Sequence, residues 1–146
     1  MDEKDLLILE ELRKNGRERT NMIAERLGIP RATVHERMKR MVKAGVIERF
    51  TVKIDYEKLD LGTAAFILVS FASKTGISQE GLAREISWIP NVFEVHIISG
   101  EWDLLVKARG KSVKDVGDLV VNRLRGLEGV EKTLTCLSFK GVKEET

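Results

Sequence analysis

Three observations on these 146 residues predict an α+β chain, an N-terminal helix-turn-helix (winged-helix-like) domain followed by a ferredoxin-like βαββαβ sandwich domain. Two helical periods meet at Gly28-Ile29-Pro30 within Thr20 to Ala44, and the second of these helices is armed with Arg31, Arg37, Lys39, Arg40 and Lys43. From Thr63 onward the apolar period changes, and strand and helix candidates follow in the order βαββαβ. Charge divides the same way: residues 1–53 hold 13 Lys and Arg against 9 Asp and Glu, an excess of +4, whereas the remainder holds 12 against 14, or −2. The predicted boundaries are 1–53 for the helix-turn-helix domain, 54–62 for a connector and 63–146 for the sandwich domain.

The first helix should begin near Asp2, with acids in its first turn where the helix dipole favours them. It buries Ile8, Leu9 and Leu12 and stops around Asn15-Gly16. The second is predicted to start at Thr20, whose hydroxyl caps the open amides, and to bury Ile23, Ala24 and Leu27 before Gly28 ends it in a left-handed turn. Pro30 suits the start of the third helix because a proline there wastes no amide. Val34, Met38, Met41 and Val42 form its apolar stripe, and it ends near Ala44-Gly45. Val46 to Ile54, rich in β-branched residues, reads as extended chain or a small wing.

In the sandwich domain Ala64 to Phe71 is a strand, Gly81 to Ile86 a short helix and Val92 to Ser99 a second strand. Gly100-Glu101-Trp102 supplies a turn into a strand from Asp103 to Ala108. Ser112 then caps a helix carrying Val113, Val116, Leu119, Val120 and Leu124, and Thr133 to Phe139 is the last strand. A faint internal repeat supports this order: Ile89 to Val95 and Leu127 to Thr133 both join a helix to a strand through a breaker followed by Val. Such a sandwich carries helices on one sheet face only. Because Ile67, Val69 and Phe71 alternate with Phe66, Leu68 and Ser70, apolar side chains fall on both faces, and sheet-against-sheet homodimerisation is expected.

A hydrophobic fraction of 42% is ample for a packed interior. The lone Cys136 excludes a disulfide framework and, beside Leu134, Leu137 and Phe139, reads as a small core residue rather than a reactive thiol. Leu6 to Leu9 is too short to span a bilayer, and acids replace the basic start of a signal peptide, so the expectation is a cytoplasmic protein.

The third helix points to DNA. Its polar face holds Ala32, Thr33, Glu36, Lys39, Arg40 and Lys43, flanked by Arg31, His35 and Arg37. Arginine bridges guanine bidentately, Ala32 and Thr33 can meet a thymine methyl, and Glu36 can accept from cytosine. Lys39, Arg40 and Lys43 are assigned to phosphates, and Thr20, at the head of the second helix, joins the DNA contacts. The competing reading is a merely solvated charged face. His35 and His96 invite a metal or acid-base reading, but they sit in different predicted domains with no ligand-spaced Cys or carboxylates, so surface or boundary histidines are expected. Gly100-Glu101-Trp102-Asp103 is either a plain hairpin turn or, less simply, a carboxylate pair for acid-base work.

Asp5-x-x-Ile8-Leu9-x-x-Leu12, Ile23-Ala24-x-x-Leu27-Gly28, Thr33-Val34-x-x-Arg37-Met38-x-x-Met41 and Gly45-Val46-Ile47 resemble the leucine-responsive/asparagine-biosynthesis (Lrp/AsnC, feast/famine) transcription regulators, and Gly100-x-x-Asp103 resembles that family's effector-domain motif. The resemblance implies a homodimer, often assembled into octamers, that binds double-stranded operator DNA and senses an amino acid between its effector domains. No catalytic residue, metal or cofactor other than that amino acid is expected. By position, Ser99, Gly100, Glu101 and Asp103 would border the effector pocket, with Thr133 and Thr135 as neighbours. Pro30 stands where the family usually has a capping Ser, and Trp102 replaces a smaller or tyrosyl residue. Two other functions compete: a subunit similar to sirohaem decarboxylases, which use the same two-domain plan and in which His96 would carry much of the chemistry, and an architectural protein that coats and bends DNA with little sequence preference.

Overall fold

The computed structural model describes residues 1–73 and 76–144, and the chain forms two compact units, one built on Met1–Ile54 and one on Asp55–Lys143. In the first, α1 (Glu3–Lys14), α2 (Thr20–Leu27) and α3 (Arg31–Lys43) enclose Ile8, Leu12, Ile23, Val34, Met41 and Ile47. A reciprocal capping box starts α1: the Asp5 amide donates to the Asp2 carboxylate at 3.1 Å, and the Asp2 amide donates to the Asp5 carboxylate at 2.9 Å. Gly28, at φ 63°, closes α2, and the Ile29 amide reaches back to the Ala24 carbonyl at 3.0 Å while the Ile29 side chain is buried. Pro30 follows at the cap position of α3, so Arg31 is its first helical residue.

Several sequence expectations change here. Arg19, not Thr20, occupies the cap position of α2, and no side chain bonds there; the Arg19 carbonyl instead accepts from Met22 and Ile23. Val42 is exposed because it lies at the rim of the stripe centred on Val34 and Met41. Leu9, Leu27 and Met38 are only partly buried. Among the described residues, 45–54 form no strand, so of the two readings, extended chain or a small wing, the wing is not formed, and Phe50, Val52 and Ile54 stay exposed.

The second unit is a four-stranded antiparallel sheet of β1 (Thr63–Phe71), β2 (Val92–Ile97), β3 (Leu104–Gly110) and β4 (Val130–Leu137), in the order β2-β3-β1-β4. The helices α4 (Gln79–Ser87) and α5 (Val113–Leu119) join the strands, and Leu82, Ile86, Leu119 and Leu124 pack with Ile67, Val69, Leu104 and Val106. Ser78 and Ser112 cap these helices by accepting from the Gly81 and Asp115 amides. The repeat seen in the sequence has a physical basis, since Asn91 (φ 67°) and Gly129 (φ 94°) turn each helix into its strand through left-handed backbone.

After α5 the chain widens into a π-helical turn, Val120–Leu124, in which the Arg125 amide reaches the Val120 carbonyl at 2.9 Å. Val120 and Leu124 are both buried, whereas Val113 at the head of α5 is exposed, contrary to its assignment to the apolar stripe. Phe139 lies beyond the end of β4 and is fully exposed.

Because Ile67 and Val69 face the helices, Phe66, Leu68 and Ser70 face the other way. Register places Leu105 and Lys107 of β3 and Lys132, Leu134 and Cys136 of β4 beside them. Cys136 is therefore an exposed residue of the open sheet face, not a core residue: it stands opposite Phe66, on the side that carries no helix.

Candidate nucleic-acid interface

The turn at Gly28 and Pro30 presents α3 with Val34 and Met41 inward and Arg31, Ala32, Glu36, Lys39, Arg40 and Lys43 exposed. Thr33 is half-buried, as is Thr20 at the start of α2. His35 is exposed, and among the described residues no group of three His, Cys, Asp or Glu is placed to hold a metal.

Arg37 and Arg40 stand apart from the other cations, because both reach α1. Arg37 Nη1 donates to both oxygens of Asp2 at 2.7 Å and to Asp5 Oδ1 at 2.8 Å. Arg40 Nη2 donates to Asp5 Oδ1 at 2.9 Å and Oδ2 at 2.8 Å. Only 19% of the Arg37 side chain is exposed, against 60% of Arg40 and 1% of Asp5. Arg37 thus ties α3 to α1, while Arg40 is anchored by one nitrogen and otherwise open. The sequence marks Asp5 as a first-turn acid and as part of the family motif but not as an ion-pair centre, because its partners lie 32 and 35 residues away.

The Asp2 amide, with Arg37 and Arg40, holds the Asp5 carboxyl down at about 2, and Arg37 with the Asp5 amide lowers Asp2. Lys14 and Arg26 lower Glu11, and Arg26 with the Arg19 amide lowers Glu18. A carboxylate depressed in the folded state stabilises fully above its unfolded value, and that contribution is lost as pH falls toward the folded value. Four such groups sit in the first unit and one, Glu94, in the second, among the described residues. Acidification from about pH 4.5 toward 2 is therefore expected to melt the helical unit first. Trp88 and Trp102 both lie in the second unit, so far-UV helicity should fall before tryptophan fluorescence changes. Coincident transitions would contradict this assignment.

At the β2–β3 end of the second unit Ser99, Gly100 (φ 120°) and Glu101 are exposed. Asp103 is committed to the fold: its carboxylate accepts from the Phe71 amide at 2.7 Å, its own amide donates to the Val69 carbonyl at 3.0 Å, and its carbonyl accepts from Ile98 and Gln79. β1 stands between this turn and β4, with Asp103 and Thr133 flanking Val69 from its two sides. Thr133 lines an open groove of about 420 Å³ with Arg125, Val130, Glu131 and Lys132, and its hydroxyl accepts from Arg125 Nε at 2.9 Å. Arg125 follows the last periodic residue of its helix, so the apolar pattern carries no signal for it. His96 lies on the open sheet face, 3.3 Å from Glu94, which also receives Lys107 at 3.1 Å.

The family pattern for the Lrp/AsnC ligand-binding domain matches residues 64–146, more than half of the chain, and the pattern for winged helix-turn-helix DNA-binding matches residues 1–48. The chain belongs to the Lrp/AsnC family. An uncharacterised HTH-type transcriptional regulator of Pyrococcus abyssi is 50% identical to this Lrp/AsnC regulator over 145 residues, 99% of this chain and 97% of the relative. The HTH-type transcriptional regulator FL11 of Pyrococcus furiosus is 33% identical over 146 residues, 100% of this chain and 94% of its own. Among solved structures, a Neisseria meningitidis transcriptional regulator in complex with L-Met superposes with a TM-score of 0.93 at 26% identity, covering 100% of this chain and 94% of that one. This Lrp/AsnC regulator is accordingly a DNA-binding transcriptional regulator with a ligand-binding domain of that family. No described helix is long and apolar enough to cross a membrane.

Proposed function

We propose that this regulator reads a specific operator with the exposed face of α3 and adjusts its assembly or DNA affinity to an amino acid. The observation that carries the reading is the outward presentation of Arg31, Lys39, Arg40 and Lys43 over a core held by Val34 and Met41. In this proposal residues 1–53 are the DNA-binding domain, 54–62 the connector and 63–146 the effector-binding and oligomerisation domain of a cytoplasmic protein. Arg31, Ala32, Thr33 and Glu36 meet base edges, while Thr20, Lys39, Arg40 and Lys43 meet phosphates. Arg37 acts through the fold, as the tie between α3 and α1 described above.

The open sheet face, bearing Phe66, Leu68, Leu105 and Leu134, supports a homodimer formed sheet to sheet, with an octamer as the higher assembly. The effector pocket then completes itself between copies: Ser99, Gly100 and Glu101 lie at one place on the sheet end and Thr133 and Thr135 at another, and Asp103 pins the turn from below. Because the Neisseria regulator was solved with L-Met, methionine heads the panel of amino acids to test.

The deciding experiment is selection of bound duplex from a random pool, with and without amino acids. A recovered consensus whose occupancy changes with one amino acid supports the reading. Binding that competitor DNA removes equally well, with less than roughly 10³-fold preference for any sequence, would leave an architectural protein.

A further inference from the structure

We propose that Asp5 is a positioning residue for DNA binding: buried at the head of α1, it orients the Arg40 guanidinium of α3 toward a backbone phosphate. The inference deepens the reading of α3 as the DNA-contacting helix and rests on it. All the acceptor capacity of Asp5 is used. Oδ1 accepts from Arg37 and Arg40, and Oδ2 accepts from the Asp2 amide and Arg40. A carboxylate held from three directions with 1% of its side chain exposed is a fixed anchor.

Arg40 uses that anchor with one nitrogen only. Nη2 is chelated by the two Asp5 oxygens, and Nη1 and Nε carry no partner among the described residues, on a side chain that is 60% exposed. A guanidinium is a rigid planar fork, so fixing one prong fixes the direction of the others. The remaining donors are held in one plane and suit a phosphate, which accepts such forks bidentately. An unanchored arginine would lose rotamer freedom on binding; Arg40 has largely lost it beforehand, and that is how a residue with no reach to DNA raises affinity. Arg37 presents the contrast, since its Nη1 serves three carboxylate oxygens and its side chain is mostly covered.

A double-mutant cycle in the full-length protein tests the assignment. Operator affinity is measured for Asp5→Asn, Arg40→Ala and the double variant, with helicity monitored throughout. Asp5→Asn should weaken binding by about 3- to 10-fold in the parent and leave affinity unchanged in the Arg40→Ala background. It should also leave the salt dependence steep, whereas Arg40→Ala flattens it by about one unit.

The sign is informative, because Asp5→Asn removes a negative charge near DNA. Tighter binding, or an equal loss in both backgrounds, would overturn the proposal. Unchanged affinity and slope in Arg40→Ala itself would instead remove Arg40 from the interface, so the two failures are distinct. Should Asp5→Asn fail to fold, Arg40→Lys decides: lysine keeps the charge but has no second prong, so it should lose affinity at unchanged slope, and full affinity would reject the anchored fork.

Discussion

Replacing Lys39, Arg40 and Lys43 together by alanine is expected to leave the fold intact and to carry operator affinity down toward the non-specific range, about 10⁻⁴ to 10⁻⁶ M at physiological salt. All three side chains are exposed on the side of α3 opposite Val34 and Met41, so the core is untouched, and Asp5 retains Arg37. If each cation holds one phosphate, the slope of log affinity against log salt should flatten by roughly 0.9 per contact, or about 2.7 per protomer. Titrations at several salt concentrations measure it directly, and an unchanged slope would take this face off the DNA. Arg37→Ala is the informative control. It should lower helicity and melting temperature while altering the slope little, because that side chain binds α1.

Leu68→Lys is expected to yield a folded monomer with operator affinity reduced about 10²- to 10⁴-fold, the advantage lost when two linked half-site contacts become one. Leu68 sits mid-strand on the open sheet face, between Leu105 of β3 and Leu134 of β4, and outside the helix-side core of Ile67 and Val69. A lysine there costs the isolated chain little, because that face meets water. Against a second sheet it buries an unpaired charge. Sedimentation gives the assembly state and tryptophan fluorescence the fold. A variant that stays dimeric would place the interface elsewhere.

The helix-turn-helix was legible because its signals are local. Gly28 and Pro30 punctuate the chain at the turn itself, and the 3.6-residue period of Ile8, Leu12, Ile23, Val34 and Met41 reports a single apolar stripe per helix. The sandwich was legible for the same reason, with Ser112 and the paired breakers at Asn91 and Gly129 marking its elements. Composition misled where geometry decides: Cys136 and Phe139 lie in an apolar run, yet one faces the uncovered side of the sheet and the other follows the strand's end. Side-chain commitments across the chain were not legible at all. Nothing in the spacing of Asp103 reveals that it serves the amide of Phe71, 32 residues earlier, and nothing in Asp5 reveals that Arg37 and Arg40 close upon it.

The strand order β2-β3-β1-β4 bears on how the second unit comes into being. The internal repeat divides it into a half containing β1, α4 and β2 and a half containing β3, α5 and β4. Each of the three strand pairings, β2 with β3, β3 with β1 and β1 with β4, joins one half to the other, and neither half owns a ladder. The two copies of the motif are interlaced like the fingers of clasped hands. Half a sandwich is not a smaller sandwich but an unpaired chain, so the unit must assemble in one cooperative event that waits for β4, the last strand synthesised. A chain severed at the Gly100 turn should regain structure only when both pieces are mixed.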